Sequence, residues 1–293
     1  MQNLIKQIRM STGLSQQEFA QQLGVTFATI NRWENGRAIP NNLAQTKLYD
    51  FCRENNVPVY EFTLQRIQDE VRTLDTERDR MILYHGSKSG IHGNIAPISR
   101  EKCDFGAGFY MGTEPTQSLT LICDFEKSKF YIVSIRLDGL RRLEVPADLE
   151  WAMIVAYHRG KMDIIKGTKL YEKYQHLCED KDVIIGNIAD DRMFYVLDNF
   201  FLGNITDLAL VKSLSALQLG RQYVTVSKRG CDAVRIEKEI PISNLERRFL
   251  QDMSEQNRAK GISLANAICK NYRREGQFFD EILDSAKEGH ING

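Results

Sequence analysis

The stretch Leu14–Gly36 constrains this chain more than any other. Ser15 followed by Glu18 has the spacing of a capping box, in which the serine hydroxyl takes the Glu18 amide and the glutamate reaches back to the serine amide. A helix over 16–23 is expected, and Gly24 stands where a helix C-terminus wants a left-handed residue. Thr26 is placed to cap a second helix running to about Glu34, and Asn35-Gly36 closes it. Phe19, Leu23, Val25, Ile30 and Trp33 form the inward set, with the small Ala20 where the two helices must cross. The pattern demands two short helices set at a steep angle by a tight glycine turn.

The rest of the chain divides by texture. Residues 1–57 carry helical periodicity throughout. A charged stretch over 61–80 places Leu64, Ile67, Val71 and Leu74 at spacings of three and four, which predicts a connecting helix with one apolar face. From Met81 the runs MILYHGS, FGAGFYMG, KFYIVSIRL, KDVIIGN, RQYVTVS and CDAVRIEKE read as strands between Gly and Pro punctuation. Segments 148–166, 191–201 and 206–218 read as intervening helices, and the chain is helical again from Pro241 to about Lys287. The domain plan is therefore 1–57, a linker helix 58–80, a mixed domain 81–241 and a helical extension 242–293. The apolar set of the extension, including Leu245, Phe249, Met253 and Leu264, is expected to pack on the core, with a lid or a dimer contact left open.

Composition removes several classes. A chain of 293 residues suffices for two cores, and 42% hydrophobic with 27% charged residues is ordinary for a globular protein. Lys+Arg and Asp+Glu balance at 39 each, so no overall polyanion partner is indicated; residues 1–57 hold six basic against four acidic groups. The six cysteines form no CxxC pair, which speaks against a zinc site or a disulfide framework. No apolar run approaches the ~20 residues that span a bilayer, and the N-terminus enters a helical period without a signal-peptide pattern. No membrane partner, no metal and a reduced cytoplasmic setting are expected. Asp190 and Asp191 are read as capping a helix near Arg192 rather than holding a metal, and His92, His158, His176 and His290 have no partner at a telling spacing.

Residues 4–55 resemble the Cro/phage-repressor helix-turn-helix family through Leu14-Ser15-Gln16, Ala20, Leu23-Gly24-Val25-Thr26, Ile30, Trp33-Glu34-Asn35-Gly36 and Pro40. The resemblance implies an all-α bundle that binds DNA, as a homodimer, through Gln16 and the outward face of the second helix: Thr26, Phe27, Thr29, Asn31 and Arg32. Arg32 can read guanine bidentately and Phe27 can meet a thymine methyl, while Gln16 and Lys47 suit phosphate contacts. A helical protein-docking module with solvated polar faces is the alternative.

Three later segments matter by their order: His85-Gly86-Ser87, then Phe105-Gly106-Ala107-Gly108-Phe109-Tyr110, then Arg221-Gln222-Tyr223-Val224-Thr225. Each alone reads as a plain strand or turn. Together, with Ser118 eight residues after Tyr110, they resemble the diphtheria-toxin/poly(ADP-ribose)-polymerase-like clan of ADP-ribosyltransferases over roughly residues 81–240. Val183-Ile-Ile-Gly-Asn-Ile-Ala-Asp-Asp191 resembles a bacterial subgroup of that clan. The resemblance implies an α+β domain with a split β-sheet core and NAD as substrate. It gives His85 the adenosine ribose, the Gly86 backbone the nicotinamide carboxamide, Tyr110 a stack on the nicotinamide ring and Ser118 a hydrogen bond to it. Ser87, Gly106 and Gly108 complete the cofactor-binding set. The clan's third motif carries a glutamate where this chain has Gln222; Glu237 and Glu239 are alternatives out of frame, and Leu121 stands where polymerase-like members have a second aromatic. Three functions stay open: a DNA-binding mono-ADP-ribosyltransferase acting as a toxin or effector, with an antitoxin and an acceptor macromolecule as partners; a transcription regulator whose second domain binds NAD or a related nucleotide without catalysis; or a second domain that is an interaction surface and binds no nucleotide.

Overall fold

A computed structural model describes residues 1–99, 102–188, 191–217, 220–272 and 275–291. The readings of Asp190 and of the side chains of Asp191 and His290 lie outside the described residues.

Five helices open the chain: α1 (Gln2–Ser11), α2 (Gln16–Leu23), α3 (Phe27–Glu34), α4 (Asn42–Glu54) and α5 (Val59–Arg72). Both halves of the Ser15–Glu18 capping box are present, and Gly24 ends α2 at φ +63° in the left-handed region. Thr26 accepts from the Thr29 amide at 3.2 Å and so starts α3 where its cap was expected. Ile5, Ile8, Phe19, Ile30, Trp33 and Leu48 bury themselves in a common core, which also takes in Leu245 from the far end of the chain. Burying these groups at ~1.5–3 kcal/mol each holds helices that are too short to stand alone. The helix α5 stops at Arg72 rather than running to residue 80, and it is no solvated spacer. Its Val59 enters the first core and its Ile67 a second one against the sheet.

The remaining elements are β1 (Arg80–Ser87), β2 (Phe109–Gly112), α6 (Pro115–Ile122), β3 (Lys129–Arg136), β4 (Arg142–Glu144), α7 (Leu149–His158), α8 (Lys169–Leu177), β5 (Val183–Asn187), α9 (Asp191–Phe201), α10 (Asp207–Leu217), β6 (Arg221–Thr225), α11 (Lys228–Asp232), β7 (Val234–Ile240), α12 (Asn244–Asn271) and α13 (Phe279–Ile291). The strands form one seven-stranded sheet in the order β4-β5-β6-β2-β1-β3-β7, antiparallel except for β4 with β5. β1 pairs with β3 along its whole length, from Arg80↔Arg136 to Ser87↔Lys129. With β2 it pairs only at Tyr84↔Gly112. One face of the sheet carries Leu83, Phe109, Met111, Tyr131 and Val133. The other presents Tyr84, Phe130 and Ile132 to α5, α6 and α12, and Ile184 and Val224 to the helices α7–α10. This is the alternation a pleated strand imposes.

Several elements depart from expectation. The run FGAGFYMG is strand only from Phe109, because Gly106 at φ +72° turns the chain first. CDAVRIEKE begins inside α11, which Ser227 caps through the Gly230 amide, and becomes strand at Val234. The helix expected over 148–166 ends at His158, where Gly160 (φ +73°) breaks it before a 3₁₀ turn at Asp163–Ile165. The helices α6 and α8 and the short β4 were not foreseen. The extension packs inward through Ala265, Phe279 and Leu283, which join the core beneath α7–α10, but Leu264, expected in that set, faces outward at 40% exposure because Ala265 takes the inner side of α12.

Candidate functional site

The first candidate surface is the outer side of α3. Thr26, Phe27 and Arg32 are exposed, Phe27 by 52%, and Thr29 and Asn31 are half-buried beside them. Gln16, at the start of α2, is tied inward: its Nε2 donates to Glu34 Oε2 at 2.6 Å, and its Oε1 accepts from Asn31 Nδ2 at 3.4 Å. Arg9 grips the same carboxylate, Nε to Oε1 at 2.7 Å and Nη2 to Oε2 at 3.2 Å, and donates to the Leu14 carbonyl at 2.8 Å. Burial works against the charge on Glu34, but the hydrogen bonds from Arg9 and Gln16 outweigh it and hold the carboxyl below its usual range. Gln16 thus fixes the angle between α2 and α3 and joins the reading face through Asn31. Lys47 donates to the Leu23 carbonyl at 3.2 Å, a cation at the C-terminus of α2 where the helix dipole favours it.

The second candidate site lies where β1 and β2 part. Past Tyr84↔Gly112 the ladder gives the two strands no further shared pair, and the His85 ring spans the opening, its Nδ1 2.7 Å from the Tyr110 carbonyl oxygen. A carbonyl only accepts, so Nδ1 carries the proton and Nε2 is left as an acceptor. Burial lowers the histidine pKa against the opposing pull of that carbonyl, so the ring is neutral at pH 7. It stacks on Phe109 at 4.2 Å between centroids.

Strand alternation puts Gly86, Tyr110, Gly112, Gln222 and Val224 on the opposite face from His85. The structure therefore brings Tyr110 and Gln222 onto one face and leaves the His85 ring behind the sheet. Here α6 rides directly on β1: a Cβ at Gly86 would stand 2.4 Å from the Ser118 carbonyl oxygen and 2.8 Å from Ile122 Cγ2. Only glycine permits that approach. The Ser118 hydroxyl donates to the Tyr84 carbonyl at 3.1 Å, and Leu121 points outward at 58% exposure. Gln117, one residue before Ser118, holds its Oε1 buried and without a hydrogen-bond partner among the described residues, 3.4 Å from the Cβ position of Gly112.

Tyr110 closes its own loop. Its hydroxyl donates to the Gly106 carbonyl at 2.8 Å and accepts from the Phe105 amide at 3.0 Å, and burial pushes the phenol pKa well up. Gly108 lies against Val224 and Gly106 against His158, whose pKa burial lowers to about 4. Ser87 donates to the Gly90 carbonyl at 2.9 Å. Glu237 and Glu239 lie away from Gln222: β7 is separated from β6 by β2, β1 and β3. There Glu237 accepts from Ser134 and Glu239 pairs with Lys129.

Two charged groups escaped the sequence reading. Gln222 is 6% exposed, and its Nε2 donates to the Asn187 carbonyl at 2.8 Å and faces Asp104 Oδ2 at 3.5 Å. Asp104 Oδ1 pairs with Arg159 Nη2 at 2.6 Å, and the guanidinium lies 4.2 Å over the Phe194 ring. Asp104 adjoins the FGAGFY segment, which was a usable signal; Arg159 is 55 residues further on and had none.

Among the described residues no group of three or more His, Cys, Asp or Glu could hold a metal ion, and no helix is long and apolar enough to cross a membrane. The capped pair α2–α3, with an exposed polar face on α3, defines a DNA-binding helix-turn-helix domain of the Cro/repressor type, and residues 5–61 match the family model described as helix-turn-helix. Residues 81–236 match the model described as protein of unknown function DUF3990, and the chain belongs to that family. No curated protein and no solved structure matches the chain.

Proposed function

We propose that this DNA-binding protein carries, in its second domain, an NAD site of the ADP-ribosyltransferase kind and transfers a single ADP-ribose unit. The observation that supports it best is the parting of β1 and β2 at Gly86 and Tyr110, with α6 setting Ser118 against Gly86. Gly86, Tyr110 and Gln222 share one face of the sheet beside that opening, which is what the resemblance would need. The residues suit the group: Gly86 offers backbone without a side chain, and Gln117 offers a buried carbonyl oxygen that lacks a donor. A primary carboxamide supplies that donor.

In the reaction the ribose–nicotinamide C–N bond breaks and its electron pair leaves with the nicotinamide, which becomes neutral. The ribose carbon passes through an oxocarbenium-like state, and an acceptor nucleophile adds there and loses its proton. Dipoles aimed at the developing cation would carry the catalysis. The helix-turn-helix would hold this chemistry near DNA-bound acceptors, and the same domain suits a toxin or effector that represses its own gene beside an antitoxin.

A second reading, nucleotide sensing without catalysis, draws on the neutral Gln222 and on α12. That helix accepts the Tyr49 hydroxyl on Asp252 at 2.6 Å and, through Arg247, caps the Ile122 and Phe125 carbonyls at the end of α6. It thus joins the DNA-binding core to the helix over Gly86, a route for coupling two sites.

The test is nicotinamide release from NAD by the full chain, with Tyr110→Phe and Tyr110→Ala beside it. Release that falls in Tyr110→Ala and is largely kept in Tyr110→Phe, which preserves the stacking ring, supports the transferase. Binding by calorimetry without release supports the sensor, and neither would leave the DNA-binding domain as the sole functional reading.

A further inference from the structure

We infer that Asp104 is a positioning residue for Gln222, and that the pair divides between two side chains the work of one carboxylate. The inference rests on the NAD reading above. The end of the Gln222 amide that meets the Asn187 carbonyl and the Asp104 carboxylate must be its NH₂, because both neighbours only accept. That fixes the flip of the amide and turns Oε1 away from them, an acceptor for ribose hydroxyls of the kind a glutamate oxygen would provide. At 3.5 Å the Asp104 contact is at the long end of a hydrogen bond, so its contribution is mainly field. Its negative charge, partly balanced by Arg159, holds the NH₂ end of the amide toward it.

The geometry keeps Asp104 there. Arg159 takes its other oxygen at 2.6 Å and is itself pinned over Phe194. On the chain side, the Phe105 ring sits over Gly186, where a Cβ would stand 2.6 Å from Cζ, and its amide donates to the Tyr110 hydroxyl. A side chain only 10% exposed and held from both sides has little freedom to swing away from Gln222.

The arrangement predicts an outcome opposite to the obvious one. Restoring a glutamate with Gln222→Glu would set two carboxyl groups at hydrogen-bond distance, where both cannot stay ionised near neutral pH. Nicotinamide release from NAD should fall at least ~10-fold in kcat for Gln222→Glu and for Asp104→Asn, with KM changed by less than ~3-fold. The double variant Gln222→Glu/Asp104→Asn should recover at least ~10-fold over Gln222→Glu, because it removes the opposed carboxylates, while the Asn187 carbonyl, left without its donor, holds it below wild type. Additive losses in the double variant would reduce Asp104 to a structural partner of Arg159 and overturn the inference. A Gln222→Glu protein faster than wild type would overturn it too, and that variant leaves the Asp104–Arg159 pair intact should Asp104→Asn fold poorly. A wild type that neither binds NAD nor releases nicotinamide would overturn the NAD reading and this inference with it.

Discussion

Removing Arg9 should loosen the DNA-reading helices from within. Its guanidinium makes two bonds to Glu34 and one to the Leu14 carbonyl, and the two side chains are only 15% and 4% exposed. Arg9→Met strands a carboxylate away from water, with Gln16 as its remaining clamp donor. Breaking a buried pair in this way costs ~3–5 kcal/mol. Water reaching Glu34 past the partly exposed position 9 trims this to roughly 2–4 kcal/mol. At ~1.4 kcal/mol per tenfold, amides of α2 and α3 should exchange ~30- to 1000-fold faster, with α7 as the internal reference. The pH dependence has a definite sign. Glu34 is held below 4.5 in the fold, so its contribution is whole above that value and is lost as pH falls through the lower folded value. The difference between the two proteins should shrink in that window. Exchange of α2 and α3 within about threefold of wild type at neutral pH would refute the clamp.

Two further outcomes follow from the same geometry. Arg32→Ala should weaken specific DNA binding by ~1–3 kcal/mol at matched salt, with an unchanged melting temperature because the side chain is exposed; equal affinity would remove it from the reading set. Gly86→Ala should force α6 off β1, since its methyl would meet the Ser118 carbonyl at 2.4 Å. A loss of ~1–3 kcal/mol in unfolding free energy is expected, and a thermal melt identical to wild type would show that α6 does not ride so close.

The helix-turn-helix was legible because its signals are local. A capping box, a left-handed glycine and a threonine cap each act within four residues, so α2 and α3 could be bounded from spacing alone. Most strands were legible too, since apolar runs between Gly and Pro leave few options. The helix α6 was not. Pro115-Thr-Gln-Ser-Leu-Thr-Leu-Ile122 shows little helical contrast, and what holds it is the fit of Ser118 and Ile122 over Gly86. The candidate residues were named from the order of their segments, but their two-sidedness was not visible there: Tyr110 and Gln222 share a face while the His85 ring lies behind it.

By itself, then, the sequence determined the helix-turn-helix pair and most of the strand inventory. Only the tertiary structure decided where charge resides. Asp104, Arg159 and Gln222 come from three separate parts of the chain and meet because the Phe105 loop and the end of α7 fold over β6. It likewise decided that α12 enters the first core through Leu245. Capping and periodicity are written in neighbouring residues, whereas the field at a buried side chain sums over groups that adjoin only once the sheet has closed.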